Sequence, residues 1–327
     1  MLIVRKETPR EVHHLVLALP GVIKNVEISN DGNVCVRHLA NNKLNVLVRN
    51  KHAKRLNGLL ADHECTAFAL RPEVNELAVA CETDSLVRRY TLNGDSCPPL
   101  NFTGATAVAY NESGTMVVVG NKYGGVRVYY LNEDRERHRI IQARIRGQRI
   151  VRVDFGFHCV IALTDRGMCF RIPFHFVVPP RILVEGQAEQ RLIAGDGTPY
   201  DWNCYAYAHH PTLSLEAFGG ECGVLISQHD VFGLCGVKRT GLGRFIHKLV
   251  FCKATNRLIA MGEFGAQIWT VENSVMAEKW QVAGDWGKLG RAAATVKLLE
   301  ETFEAPRAGL KAIGYAVVND QPTVYWG

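Results

Sequence analysis

The sequence predicts an all-β fold: a β-propeller of seven blades, with six as the alternative, and one helix inserted near the C-terminus. Three observations predict it. Short apolar strands, β-branched or aromatic and bounded by Gly, Asn and Asp turns, recur along the chain. They come in groups of three, with a fourth implied, at a period of about forty residues, which is the spacing of propeller blades. A last strand group near the C-terminus is placed to pair with strands near the N-terminus, and such pairing closes a ring and removes its open sheet edges.

The elements follow in order. A ragged first blade covers 20–62. The second, 64–103, holds Thr66–Leu70, a polar break at Arg71-Pro72-Glu73, Leu77–Ala80, a turn at Glu82–Ser85 and Leu86–Tyr90. The third, 105–147, repeats the plan with Ala107–Tyr110, Met116–Val119 and Val126–Tyr130. Blades at 148–190, 200–243 and 245–283 carry weaker copies, and Ile313–Val318 with Thr323–Trp326 supply the closing strands, to pair with Met1–Val4 or His14–Leu19. Between them, Leu289, Ala293, Val296, Leu299 and Phe303 recur at helical spacing and Pro306 follows, so 286–304 is expected as an amphipathic helix. Residues 1–327 are thus read as a single domain with this one insertion. A pair of all-β sandwiches is the alternative architecture.

Composition narrows the function. The chain has 327 residues, 47% hydrophobic and 21% charged, enough for a large core and unlike a disordered chain. No apolar run approaches the ~20 residues of a membrane helix. Met1–Lys6 leads directly into Glu7 and Thr8 without a signal-peptide pattern, so a non-secreted protein of the nucleus or cytoplasm is expected. Ten cysteines include no Cys-x-x-Cys pair and lie mostly in apolar runs, which reads as buried reduced thiols with no metal site. Nucleophile-elbow, P-loop and zincin motifs are absent. His209-His210 cannot chelate from one strand face, because strand neighbours point oppositely. The expectation is no enzyme, no cofactor and no metal.

Basic density stands out instead. Arg135, Arg137, His138, Arg139, Arg144, Arg146, Arg149 and Arg152 crowd one blade junction, and Lys238, Arg239, Arg244, His247 and Lys248 another. Arginine predominates in the first group, and its planar fork holds carboxylate or phosphate at two points. Two readings stay open: a docking surface for acidic or phosphorylated peptide or for nucleic acid, or a solvated loop with scattered ion pairs.

The repeats resemble divergent WD repeats, although Trp-Asp is replaced by Arg89-Tyr90, Tyr129-Tyr130, Arg171-Ile172 and Ile268-Trp269. Within that class, the blade order from about residue 64 to 271 is similar to the Bub-type spindle-checkpoint propeller and its Rae-type mRNA-export relative. The likeness is carried by Arg71–Asn75, by Val117–Leu131 with the Arg-rich connector, and by Ala208-His209-His210 through Val224. It implies a non-catalytic scaffold, a subunit of a hetero-complex, that captures an acidic (GLEBS-like) or phosphorylated motif of a larger kinetochore, spindle-checkpoint or nuclear-pore partner. It implies a phosphate-facing role for Arg191, by its distance from the His209 turn, and a glutamate-gripping role for Arg166, in Asp165-Arg166-Gly167 where the family has Glu-Gly-Arg. The departures fit a kinetoplastid-type kinetochore component. The expected partner-binding residues are therefore Arg191, Arg166, Arg149, Arg152, Lys238 and Arg239. The alternative is a nucleic-acid-associated propeller of a replication, RNA-processing or ribosome-assembly complex.

Overall fold

Alternating apolar strands separated by tight turns pair with their sequence neighbours, and here they do so as a series of small antiparallel sheets. A computed structural model describes residues 13–16, 23–29, 34–49, 51–72, 74–131, 141–145, 147–156, 159–173, 203–210, 215–220, 223–228, 233–239, 245–252, 257–262, 265–270, 299–304, 312–318 and 321–326. The chain divides into two compact units, one of Met1–Arg191 with Ile313–Gly327 and one of Leu192–Ala312.

In the first unit, β1 (His13–Val16) precedes a sheet of β2 (Ile23–Ile28), β3 (Val34–Leu39), β4 (Leu44–Val48) and β5 (Lys51–His52). The helix α1 (Lys54–Leu60) links it to a sheet of β6 (Ala67–Leu70), β7 (Glu76–Ala80), β8 (Leu86–Thr91) and β9 (Ser96–Asn101). Next come β10 (Ala105–Tyr110), β11 (Met116–Asn121), β12 (Gly125–Tyr130) and β13 (Ile141–Arg144), then β14 (Ile150–Gly156), β15 (Cys159–Thr164) and β16 (Cys169–Pro173). The second unit holds β17 (Cys204–His209), β18 (Leu215–Gly220), β19 (Gly223–Gln228) and β20 (Gly233–Arg239), and a sheet of β21 (Ile246–Cys252), β22 (Arg257–Gly262), β23 (Gly265–Thr270) and β24 (Leu299–Glu304). The last strands, β25 (Ala312–Val318) and β26 (Gln321–Trp326), form a sheet with β1, which runs parallel to β26 with His13 opposite Thr323. Strands from the two ends of the chain thus pair, through His13–Val16; Met1–Val4 lies outside the described residues.

Sheets stack on one another, so the inner strands are buried on both faces and read as continuous apolar runs. Successive side chains of a strand point to opposite faces. Accordingly Leu77 and Val79 of β7 pack with Val36, Val46 and Leu56, while Ala78 and Ala80 pack with Val117 and Val119 of β11. Where sheets approach most closely a side chain is excluded. A Cβ on Gly120 would overlap Ile150 Cγ2, and in the second unit one on Gly219 would meet Ile246 Cγ2 at 2.6 Å. The first strands β2, β10, β14, β17 and β21 share a further device, a register shift one residue in from the start that sets the local bend. Both units therefore repeat one structural plan.

The expected helix over 286–304 is corrected in part: its last six residues are strand β24, paired with β23 from Thr270↔Leu299 to Gly265↔Glu304. The physical reason is that Leu299 and Phe303 lie four apart, a spacing that fits both a helical turn and two strand repeats. The open edge of β23 decides between them. Residues 286–298 lie outside the described residues.

Candidate functional site

The first unit brings five turns together at one end of its strands. Backbone hydrogen bonds join them. Phe102 N donates to Ser85 O and Gly104 N to Asp84 O, both at 3.0 Å; Lys122 N donates to Gly104 O at 3.0 Å, Ile145 N to Gly124 O at 2.7 Å and Asp165 N to Arg149 O at 3.0 Å. Gly124 has φ +80°, and a Cβ there would overlap Ile145 O, so this turn requires glycine.

Charged side chains gather on this surface. Arg149 forms a two-point fork on Glu82, Nη1 to Oε1 at 2.8 Å and Nη2 to Oε2 at 2.6 Å, and Lys122 Nζ stands 3.8 Å from the same carboxylate. The Arg149 hydrogen bonds hold the Glu82 carboxyl below the usual carboxylate range. Beside this pair opens a cavity of about 490 Å³ lined in part by Asn101, Phe102, Tyr123, Arg127 and Arg144. The Arg127 guanidinium lies 5.0 Å from the Phe102 ring centre and donates to Asn101 O at 3.0 Å. Arg144 is exposed and comes beside the cavity because β13 pairs Arg144 with Gly125 of β12. Tyr123 is also exposed; its backbone N–H is held by Asn121 Oδ1 at 3.0 Å. Two aromatic rings and two guanidinium groups make a lining that can hold an anionic group against an apolar wall.

At the opposite end of the same strands lies a second charged cluster. Glu76 accepts from Arg89 Nε and Tyr110 Oη, each at 2.6 Å, from Arg89 Nη2 at 2.9 Å and from Arg71 Nη1 at 3.0 Å. Burial pushes the Glu76 carboxyl up, but the Arg89 and Tyr110 hydrogen bonds outweigh it and the carboxyl sits below its ordinary range. Glu76, Arg89 and Tyr110 are all buried, so this cluster ties sheet to sheet and offers nothing to a partner.

Of the residues expected from sequence, Arg149 and Arg166 lie at the turn end, Arg149 joined to Glu82 and Arg166 exposed in the turn between β15 and β16. Arg152 lies in β14 with Nη2 3.4 Å from Asp154 Oδ2. Lys238 and Arg239 belong to β20 in the second unit, opposite Val224 and Gly223. Arg191 and the stretch from Arg135 to Arg139 lie outside the described residues. Sequence reasoning missed Lys122, Tyr123 and Arg127. Aligning the turns would have shown one signal, since Tyr123 and Arg166 hold equivalent positions two residues past the ends of β11 and β15.

No protein-family model matches the chain, and no curated protein matches it. Solved structures do. The RRP9 WD40 repeats superpose with TM-score 0.58 at 10% identity over 78% of each chain. The Myceliophteria thermophila Cps50 (Swd1) β-propeller domain gives 0.57 at 12% identity, over 76% of this chain and 84% of that one. A computationally designed protein, Ika8, gives 0.52 at 14% identity over 79% and 73%. The chain has the WD40 β-propeller fold. In that frame, the five joined turns form a rim at one end of the sheets, and the basic cavity opens on it. Among the described residues, no helix is long and apolar enough to cross a membrane.

Proposed function

We propose that this WD40-type propeller is a non-catalytic interaction scaffold that binds an acidic or phosphorylated segment of a larger protein across the rim bearing Lys122, Tyr123, Arg127, Arg144, Arg149 and Arg166. The observation that carries the reading is the cavity where Arg127 and Arg144 meet Phe102 and Tyr123. Arginine forks make short charge-assisted hydrogen bonds to carboxylate and phosphate, and a partly shielded wall keeps them from full solvent screening. The sequence resemblance to checkpoint and mRNA-export propellers supports a kinetochore or nuclear-pore partner, hence a nuclear or cytoplasmic setting, with Arg166 and Arg191 joining the contact.

The test is purification of the full chain with its partner from the cells that express it, followed by crosslinking mass spectrometry. An acidic or phosphorylated segment crosslinked to Lys122, and lost from the Arg144→Glu protein, supports the reading. Crosslinks confined to the second unit, or equal recovery by Arg144→Glu, overturn it. Copurifying nucleic acid whose affinity falls linearly with salt on logarithmic axes would assign the arginines to phosphate backbone instead.

A further inference from the structure

A second group of side chains lies behind the same rim. His63 sits in the link between α1 and β6, Cys81 at the end of β7, and Asp84 in the turn that follows. One ligand atom from each (a ring nitrogen, Sγ and a carboxylate oxygen) lies within 4.8 Å of the others. The backbone holds the two segments together independently of these side chains. Thr66 N donates to Ala80 O at 2.8 Å and Glu82 N to Thr66 Oγ1 at 3.0 Å, joining link to turn, while Asp84 N donates to Cys81 O at 3.1 Å within the turn.

We propose that His63, Cys81 and Asp84 form a binding site for a zinc-class divalent cation, with solvent at a fourth position. Thiolate, imidazole and carboxylate together are the donor set that zinc takes in tetrahedral sites. Bond lengths of about 2.0–2.3 Å place tetrahedral ligands roughly 3.5 Å apart, so the three atoms close in by about 1 Å, which side-chain rotation supplies. A thiolate and a carboxylate supply two negative charges to a divalent ion. Binding releases one proton, from the Cys81 thiol to solvent, as the S–H bond is replaced by a sulfur–metal bond. Asp84 is already oriented from behind: Arg88 Nε donates to its Oδ2 at 3.0 Å, the kind of outer contact that fixes a ligating carboxylate. The His63 ring is half-buried and makes no hydrogen bond or ion pair with the described residues. An ion here clamps the α1–β6 link to the turn carrying Glu82, the partner of Arg149, and thereby stiffens the rim.

The experiment uses the full chain, stripped with chelator and titrated with Co²⁺ and then Zn²⁺. The expected result is a near-ultraviolet thiolate-to-cobalt charge-transfer band that saturates at one equivalent, is displaced by Zn²⁺, and is absent from Cys81→Ser. His63→Asn, at a half-exposed position that leaves the core intact, weakens Zn²⁺ at least tenfold and abolishes the rise in melting temperature that Zn²⁺ gives the wild type. No band, a band retained in Cys81→Ser, or unchanged Zn²⁺ affinity in His63→Asn overturns the site. None of these outcomes depends on the partner-binding reading of the rim.

Discussion

Glu76 opens the short strand β7 and Glu82 lies two residues past its other end, and each is gripped by an arginine fork. Arg89 holds Glu76 at 2.6 and 2.9 Å, and Arg149 holds Glu82 at 2.8 and 2.6 Å. The geometry is nearly the same and the surroundings are not. The side chains of the first pair are 10% and 5% exposed, those of the second 36% and 30%. Water decides what each fork is for. A buried charge that loses its partner stays buried and uncompensated, whereas a half-exposed one is rehydrated. The Glu76 cluster therefore fixes sheet to sheet, and the Glu82 pair holds a rim arginine that another carboxylate can claim.

Removing the Glu76 charge tests the first half of this contrast and carries the largest effect. Glu76→Gln leaves Arg89 buried without a counter-ion and should destabilise the first unit by about 3–5 kcal/mol. A shift in urea midpoint at constant slope would show it. The pH dependence has a definite sign. The folded-state pKa of Glu76 lies below its unfolded value, so its contribution is complete above the ordinary carboxylate range and is lost as pH falls through the depressed folded value. The gap between wild type and Glu76→Gln should accordingly narrow in acid. A constant gap from neutral pH down to acid unfolding would mean that the charge is not what matters.

The strands were legible in the sequence because apolar runs and Gly, Asn or Asp turns act locally: β7, β8, β11 and β12 lie within a residue or two of where the pattern puts them. Elements that depend on distant neighbours were not. In β9, Pro98 and Pro99 sit where the register shifts between Val87↔Leu100 and Arg89↔Cys97, so neither proline is paired in the ladder. The helix α1 has no side-chain cap, no acidic first turn and an internal Gly58, and it forms because Leu56 and Leu60 are buried in the core. The rim was half legible. Arginine density marked Arg144 and Arg149, and the family resemblance marked Arg166, but only the fold supplies Glu82 as the partner of Arg149 and sets Arg127 beside Phe102. Nothing in the sequence distinguishes Glu76 from Glu82, since burial is a property of the stacked sheets.

Arg166 sharpens the second half of the contrast, because it is exposed on the rim where Arg149 is already engaged. Arg166→Glu should weaken the partner at least tenfold, about 1.4 kcal/mol, with the melting temperature unchanged. The same reversal at Arg191 is expected to act alike. Full partner recovery by both variants would remove them from the interface.

The smallest effect belongs to Glu82→Gln. If the rim pair is exchangeable, the loss of its charge should change stability by less than about 1 kcal/mol, and that change should shrink in high salt. Affinity should move the other way. The variant releases the Arg149 fork from its internal carboxylate and withdraws the charge facing Lys122, so both cations become available and an acidic segment should bind a few-fold more tightly. Isothermal titration of the purified partner segment against both proteins reads the affinity, and thermal melts at low and high salt read the stability. Destabilisation as large as that of Glu76→Gln would show that the rim pair is structural after all, and the two ends of β7 would then differ in exposure without differing in role.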